Sequence, residues 1–274
     1  MLTIIPRFLR QPTAFFESVR KGEAVGLKLL SLAVSAIVFL ATYGFVMGLP
    51  HSLWQALSSA AKMPILFVAT VLFCLPAFYF FSLVLQTPLN LLQVATVVLV
   101  GVGVTAFLLL GLSPITLFFV LTSKSQPFFQ LLAVAFVGVS GCVGIYFLWR
   151  GMMIVDAAQN ETNRTLRHGL LGAWFALYGF VGTQMTWRLS PFIGDPASPF
   201  ALLQPSRDNF YMDVLIAFER TSGLSSGTLN VGAVWIGMLC LLPLGWLVYS
   251  VGIAAGRLKP GRVKAPVSEV SAAS

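Results

Sequence analysis

The stretch LLQVATVVLVGVGVTAFLLLGLSPITLFFVL, residues 91–121, decides the fold. It contains no Lys, Arg, Asp, Glu or His, and it exceeds the roughly 20 residues that a helix needs to cross about 30 Å of hydrocarbon. Pro114 lacks a backbone donor and clashes with the preceding turn. We therefore expect a crossing over residues 91–110, a kink, and a short half-helix over residues 115–121 near the far interface.

Five further apolar blocks flank this stretch. Together they predict an all-α, polytopic membrane bundle of about six transmembrane helices. The predicted spans cover residues 27–48, 64–85, 91–110, 128–149, 170–187 and 231–253. Hydrophobic residues make up 57% of the chain and charged residues only 9%, against about 25% charged residues in a soluble domain. Because no ionisable residue is expected at hydrocarbon depth, the usual mark of a proton or ion pathway is missing.

The distribution of Lys and Arg predicts the orientation. With both termini inside, most of the 17 Lys and Arg residues lie on the cytoplasmic side, as the positive-inside rule requires. We expect a cytoplasmic interfacial segment over residues 1–26, a transmembrane domain over residues 27–257 and a cytoplasmic tail over residues 258–274. The net charge of +8 then reflects attraction to anionic lipid headgroups, not nucleic-acid binding. A bacterial cytoplasmic (inner) membrane is the expected location.

The connection at residues 188–230 is far longer than the usual 4 to 6 residues, and we place it on the non-cytoplasmic side. Its prolines favour extended backbone, and its second half has the spacing of an amphipathic helix. The loop either seals the helix ends or forms a recognition surface for a protein or an amphiphilic ligand. The candidate partner-binding residues are Pro191, Phe192, Asp195, Phe200, Phe210, Tyr211 and Phe218.

Small residues and a few polar ones stand out inside the predicted spans. Ser140 with Gly144, and Gly179 with Thr183, have the small-xxx-small spacing that lets membrane helices approach closely. Spans three to five are therefore expected to form the tight centre of the bundle. The candidate intramembrane polar contacts are Gln184, Thr183 and Thr96. Each forms either a structural hydrogen bond between helices or a contact to a substrate.

The common sequence signatures of metal, nucleotide and redox chemistry are missing from the chain. It has no HExxH, Walker, GxGxxG or CxxC pattern. The three cysteines fall in separate apolar blocks and are expected to be packing residues. Asp156, Glu161 and His168 do not share a helix face, so we expect no metal site. The sequence predicts no catalytic residues and no cofactor.

The N-terminal stretch FLRQPTAFFESVRKG, residues 8–22, contains a Pro-x-x-Phe-Phe element, with Phe15 and Phe16 following Pro12. Together with the closely spaced spans that follow it, it resembles the start of bacterial Yip1-like membrane proteins. The resemblance covers at most residues 6–150. It implies a membrane-organising or trafficking-type protein without catalytic residues.

Two classes of function remain open at this point. The first is a non-catalytic scaffold or accessory subunit of a membrane assembly, with membrane lipids and a protein as partners. The second is a small permease or channel for an uncharged or lipid-like substrate. A solid, glycine-packed interior would favour the first, and a hydrated cavity near Thr96 and Gln184 would favour the second.

Overall fold

The computed structural model describes residue 8 and residues 12–84, 89–122, 125–156, 164–193, 202–203 and 210–222. The elements in this part of the chain are helices, which confirms the predicted all-α class. They are α1 (Pro12–Arg20), α2 (Val25–Gly48), α3 (Leu53–Val84), α4 (Leu91–Thr122), α5 (Gln126–Asp156), α6 (Arg164–Leu189) and α7 (Phe210–Ser222). The predicted span at residues 231–253 and the tail at residues 258–274 lie outside the described residues.

Four helices are long and apolar enough to cross a membrane: Val25–Gly48, Leu53–Leu83, Leu91–Thr122 and Pro127–Ile154. The protein is therefore a multi-pass integral membrane protein. The fifth predicted span, residues 170–187, falls within α6, which is not among these four helices. The count of six spans and the orientation with both termini inside stay predictions.

Helix α3 begins well before the predicted start of the second span at residue 64. Ser52 caps it, because its hydroxyl accepts the Gln55 N–H at 3.2 Å and its carbonyl accepts the Ala56 N–H at 2.9 Å. Pro64 lies inside the helix, where the sequence analysis had placed a boundary. A membrane helix tolerates such a proline because its surroundings compensate for the lost backbone bond.

Helix α4 continues through Pro114 to Thr122 as one element. Residues 115–121 are helical as expected, but they form the last part of α4 and are not a separate half-helix. Ser113 and Thr116, on either side of the proline, direct their hydroxyls at carbonyls of their own helix, those of Leu109 and Leu112, each at 3.1 Å. These local bonds satisfy the hydroxyls without interrupting the helix.

The helices pack as a series of neighbours. α2 packs against α3 and α4, α4 also against α5, and α3 also against α6. α1 lies against α4 and α5, and α7 lies against α5 and α6. Since short connections make consecutive membrane helices antiparallel, the start of α3 lies beside the end of α2.

Glycines bring the backbones of these helices close together. A Cβ added to Gly144 of α5 would lie 2.5 Å from the carbonyl oxygen of Gly101 on α4. A Cβ on Gly48 of α2 would lie 2.5 Å from the Cα of Ala56 on α3. Both positions therefore require glycine. Gly48 allows the first turns of α3 to pack tightly against α2.

Candidate functional site around Lys62

The first turns of α3 present two faces of opposite character. One face is apolar and exposed, and it carries Leu53, Trp54 and Leu57. The other is polar and turned into the protein, and it carries Gln55, Ser58, Ser59 and Lys62. Residues three and four apart share one side of a helix. We call these four polar residues the Lys62 cluster.

The Lys62 cluster holds the turn that follows α6. Gln55 Nε2 donates to the carbonyl oxygen of Pro191 at 2.9 Å, and Lys62 Nζ donates to the same oxygen at 3.0 Å. The Ser59 hydroxyl donates to the carbonyl oxygen of Phe192. Three side chains of α3 thus fix two consecutive carbonyls, and the start of the long loop is anchored to the bundle.

The Lys62 side chain is only 5% exposed. Within the described residues no carboxylate forms an ion pair with it, and its acceptor is the neutral carbonyl of Pro191. An ammonium group has three donors. Because a buried charge is costly unless it is paired and hydrogen-bonded, this lysine is the most distinctive polar group in the described bundle.

Two further atoms of the cluster are buried without hydrogen-bond partners in the described part of the chain. They are Gln55 Oε1, an acceptor, and Ser58 Oγ, which can both donate and accept. A buried polar atom without a partner costs about 1–3 kcal/mol. The cluster therefore combines unused donors and unused acceptors in one place, and its hydrogen-bond network is incomplete.

The structure places some of the predicted loop residues at this cluster. Pro191 supplies the shared carbonyl, and Phe192 is buried, with its side chain in the core of the bundle. Phe210 and Phe218 are half-buried on α7, which packs against α5 and α6. Tyr211 belongs to α7 as well. Asp195 and Phe200 lie outside the described residues.

The three predicted intramembrane contacts are not brought together. Thr96 is buried on α4, where its hydroxyl donates to the Leu92 carbonyl at 2.7 Å. The Thr183 hydroxyl donates to the Phe180 carbonyl at 2.8 Å, and Gln184 is half-buried on the same helix, α6. Because α4 packs mainly against α2 and α5, and α6 mainly against α3, these side chains serve different interfaces.

The sequence did not reveal the Lys62 cluster, because a predicted span that begins at Pro64 leaves Lys62 in a loop. A signal was nevertheless present. Ser52 has the character of an N-cap, and polar residues at helical spacing follow it, opposite Leu53, Trp54 and Leu57. Such a pattern predicts a helix that extends beyond the proline and turns its polar face inward.

Among the residues described, no group of three or more His, Cys, Asp or Glu side chains could hold a metal ion. No protein-family model, no curated protein and no solved structure matches the chain. The similarity to Yip1-like proteins therefore stays a prediction from the N-terminal motif.

Proposed function

We propose that this protein is a non-catalytic multi-span membrane protein that acts as a scaffold or accessory subunit of a membrane assembly. The observation that carries the proposal is the anchoring of the turn at residues 190–193 by the Lys62 cluster. A bacterial cytoplasmic membrane is the location we propose for it, and the long loop after α6 is its partner-binding element.

The anchored turn gives the long loop a fixed base. Leu202 and Leu203, farther along the loop, are exposed at 60% and 55%. A loop held at its base loses less conformational freedom when a partner binds than a free loop does. Exposed apolar side chains on such a loop are suited to contact another protein.

The packing of the helices supports this role over that of a permease. A transporter needs a route near the middle of the bilayer, commonly through broken helices. Here Gly101 and Gly144 bring α4 and α5 into backbone contact. The indole N–H of Trp174 donates to the Cys74 carbonyl at 2.9 Å and joins α6 to α3. Thr96 and Gln184 lie on α4 and α6, which pack mainly against different helices.

Site-specific photo-crosslinking in intact membranes tests the proposal. A crosslinking residue at position 202 or 203 should give an adduct with one protein of reproducible mass. Matched controls are positions 72 and 73 on α3, where Leu72 and Phe73 are exposed apolar residues of a membrane-crossing helix. These control positions should give lipid adducts only.

A second measurement confirms that the adduct reflects assembly. The double substitution Leu202→Ser with Leu203→Ser should abolish co-purification of the same protein in mild detergent, while Leu72→Ser should not. Lipid adducts alone at all four positions would contradict the scaffold role. Saturable flux of an uncharged solute into vesicles containing the purified protein would favour the permease instead.

A further inference from the structure

The Lys62 cluster holds a positive charge and hydrogen-bonding groups that the described protein leaves unused. We propose that this cluster binds the phosphate of a phospholipid headgroup. The inference goes beyond the scaffold role and does not depend on it, because it concerns a ligand site at the base of the loop.

The free donors of the cluster are suited to a phosphate. Lys62 Nζ gives one of its three N–H groups to the Pro191 carbonyl, which leaves two. The Ser58 hydroxyl lies one turn earlier on α3 and has no partner in the described chain. A phosphate has several oxygens and accepts from both groups at once. Hydrogen bonds between an ammonium and a phosphate are about twice as strong as neutral ones.

The unused acceptor of the cluster requires a donor from the ligand. The amide nitrogen of Gln55 is committed to the Pro191 carbonyl at 2.9 Å, so its oxygen is left to accept a bond from elsewhere. A phosphodiester alone has no donor to offer it. A headgroup with a hydroxyl or ammonium beside the phosphate, such as glycerol or ethanolamine, supplies the donor and the anion together.

The exposed apolar face of α3 borders the cluster at Ser58. Leu53, Trp54 and Leu57 are exposed on a helix that crosses the membrane, and Trp54 lies one turn before Ser58 on the same side of that helix. Tryptophan favours the level of the headgroups, and Lys62 lies about 12 Å farther along the helix axis. Lysine stems follow apolar surface while the charged end reaches polar surroundings. Lys62 Nζ does reach back along the helix, because it shares the Pro191 carbonyl with Gln55, the residue after Trp54. The charge therefore lies nearer to the headgroup layer than the Lys62 backbone does.

Inorganic phosphate offers the same chemistry, since it carries both anionic oxygens and a P–OH donor. The exposed apolar residues beside the cluster favour the lipid as the source. The experiment must therefore present a phospholipid and free phosphate separately, each against a background lipid that has no phosphate.

Native mass spectrometry of the full chain provides the test. The protein is purified in detergent and titrated with phosphatidylglycerol or with a phosphate-free glycolipid of the same acyl chains. The wild-type chain should retain one phosphatidylglycerol molecule in preference to the glycolipid. Lys62→Met should weaken this binding tenfold or more, Lys62→Arg should largely preserve it, and Ser58→Ala should weaken it about fivefold.

Lys28 provides the matched control. It is another partly buried lysine on a membrane-crossing helix, but its ammonium already donates to Ser18 Oγ at 2.7 Å and to the Glu23 carbonyl at 2.6 Å. Lys28→Met should therefore leave the affinity for phosphatidylglycerol unchanged. If the Lys62→Met variant does not fold, the Ser58→Ala variant tests phosphatidylglycerol binding instead. This substitution changes no charge.

Three results would overturn the proposal. The first is that a folded Lys62→Met variant retains as much phosphatidylglycerol as the wild type does. If that variant does not fold, equal retention by the Ser58→Ala variant has the same meaning. The second is thermal stabilisation by inorganic phosphate in the glycolipid background without retention of phospholipid, which would assign a free-phosphate site. The third is equal retention of phosphatidylglycerol and of the glycolipid by the wild-type chain, which would show that the headgroup phosphate is not recognised.

Discussion

The two ends of the helical bundle are closed by different chemistry. At the α1 end, aromatic rings close the bundle. Phe8 packs edge-on against Phe15, Phe16 and Phe147, with ring centroids 5.2, 5.3 and 5.7 Å apart, and we call these four residues the aromatic cluster. At the opposite end, where α3 begins, polar side chains of the Lys62 cluster hold the turn after α6. The α1 end is closed mainly by aromatic packing, and the other end is closed mainly by hydrogen bonds to the turn after α6.

Two buried glutamines show what this difference means. At the α1 end, Gln93 Nε2 donates to the carbonyls of Val19 and Arg20, at 2.8 and 3.1 Å, and its Oε1 accepts the Asn90 N–H at 2.7 Å. At the Lys62 end, Gln55 donates once and its oxygen has no partner in the described chain. A complete network fixes structure, whereas an incomplete one is available for a ligand.

The largest effect on stability is expected from a substitution in the aromatic cluster. Phe16 is completely buried, and its ring lies against the backbone of Gly151 on α5. Phe16→Ala should lower the free energy of unfolding by about 3–5 kcal/mol, because it removes buried surface and leaves a cavity. Chemical unfolding in detergent measures the loss. The control is Leu72→Ala, at an exposed apolar position. An equal loss of unfolding free energy in this variant would contradict a special role of the aromatic cluster in stability.

The next effect compares the two glutamines directly. Gln93→Leu removes three hydrogen bonds and should cost about 3 kcal/mol, whereas Gln55→Leu removes one and should cost about 1 kcal/mol. The same unfolding assay, in a phosphate-free glycolipid, gives both values. Equal losses would show that the two networks are equally complete, and the contrast between the ends would disappear.

A smaller and local effect is expected at the anchored turn. Ser59→Ala removes the bond to the Phe192 carbonyl and should cost about 1 kcal/mol. Amide hydrogen exchange at residues 192–193 should become about fivefold faster. The control is Thr42→Ala, which removes a hydroxyl that donates to the Val38 carbonyl of its own helix. Amide exchange at residues 192–193 should not change in this variant. Unchanged exchange in Ser59→Ala would mean that the turn is held by other contacts.

The smallest effect is expected about one turn after Gln93 on α4. Thr96→Val keeps the shape of a buried side chain and removes a hydroxyl that donates to the Leu92 carbonyl. We expect a change of about 0.5 kcal/mol, because that carbonyl lies within a helix that supplies its own backbone bonds. A loss of solute flux in Thr96→Val vesicles, with stability retained, would instead make this residue part of a transport route.

Hydrophobic length alone predicted the class of the protein and the position of α2, because lipid imposes a minimum span on any crossing helix. The same reasoning failed at Pro64 and Pro114, where α3 and α4 continue. A proline ends a helix in water more readily than in a membrane, where packing and the lack of competing water favour continued backbone bonding.

Long-range contacts account for what the sequence did not reveal. Gln55 and Pro191 are 136 positions apart, and no local pattern links them.

The small residues also show that a local pattern does not identify the packing partner. Gly144 lies at a close crossing as expected, whereas a Cβ on Gly179 would meet no atom within 4 Å. Spacing identifies helices that are able to approach closely, but the partner helix decides whether they do.

Cys142 offers a native probe of membrane depth. Its thiol is exposed near the middle of α5, whereas Cys74 is buried. A thiol must ionise to react, so a fluorescent maleimide should label Cys142 in preference to Cys74 when a Cys240→Ser variant is treated in detergent at alkaline pH, before it is returned to lipid. Quenching by brominated lipids would then report how deep the centre of α5 lies, without adding a foreign thiol.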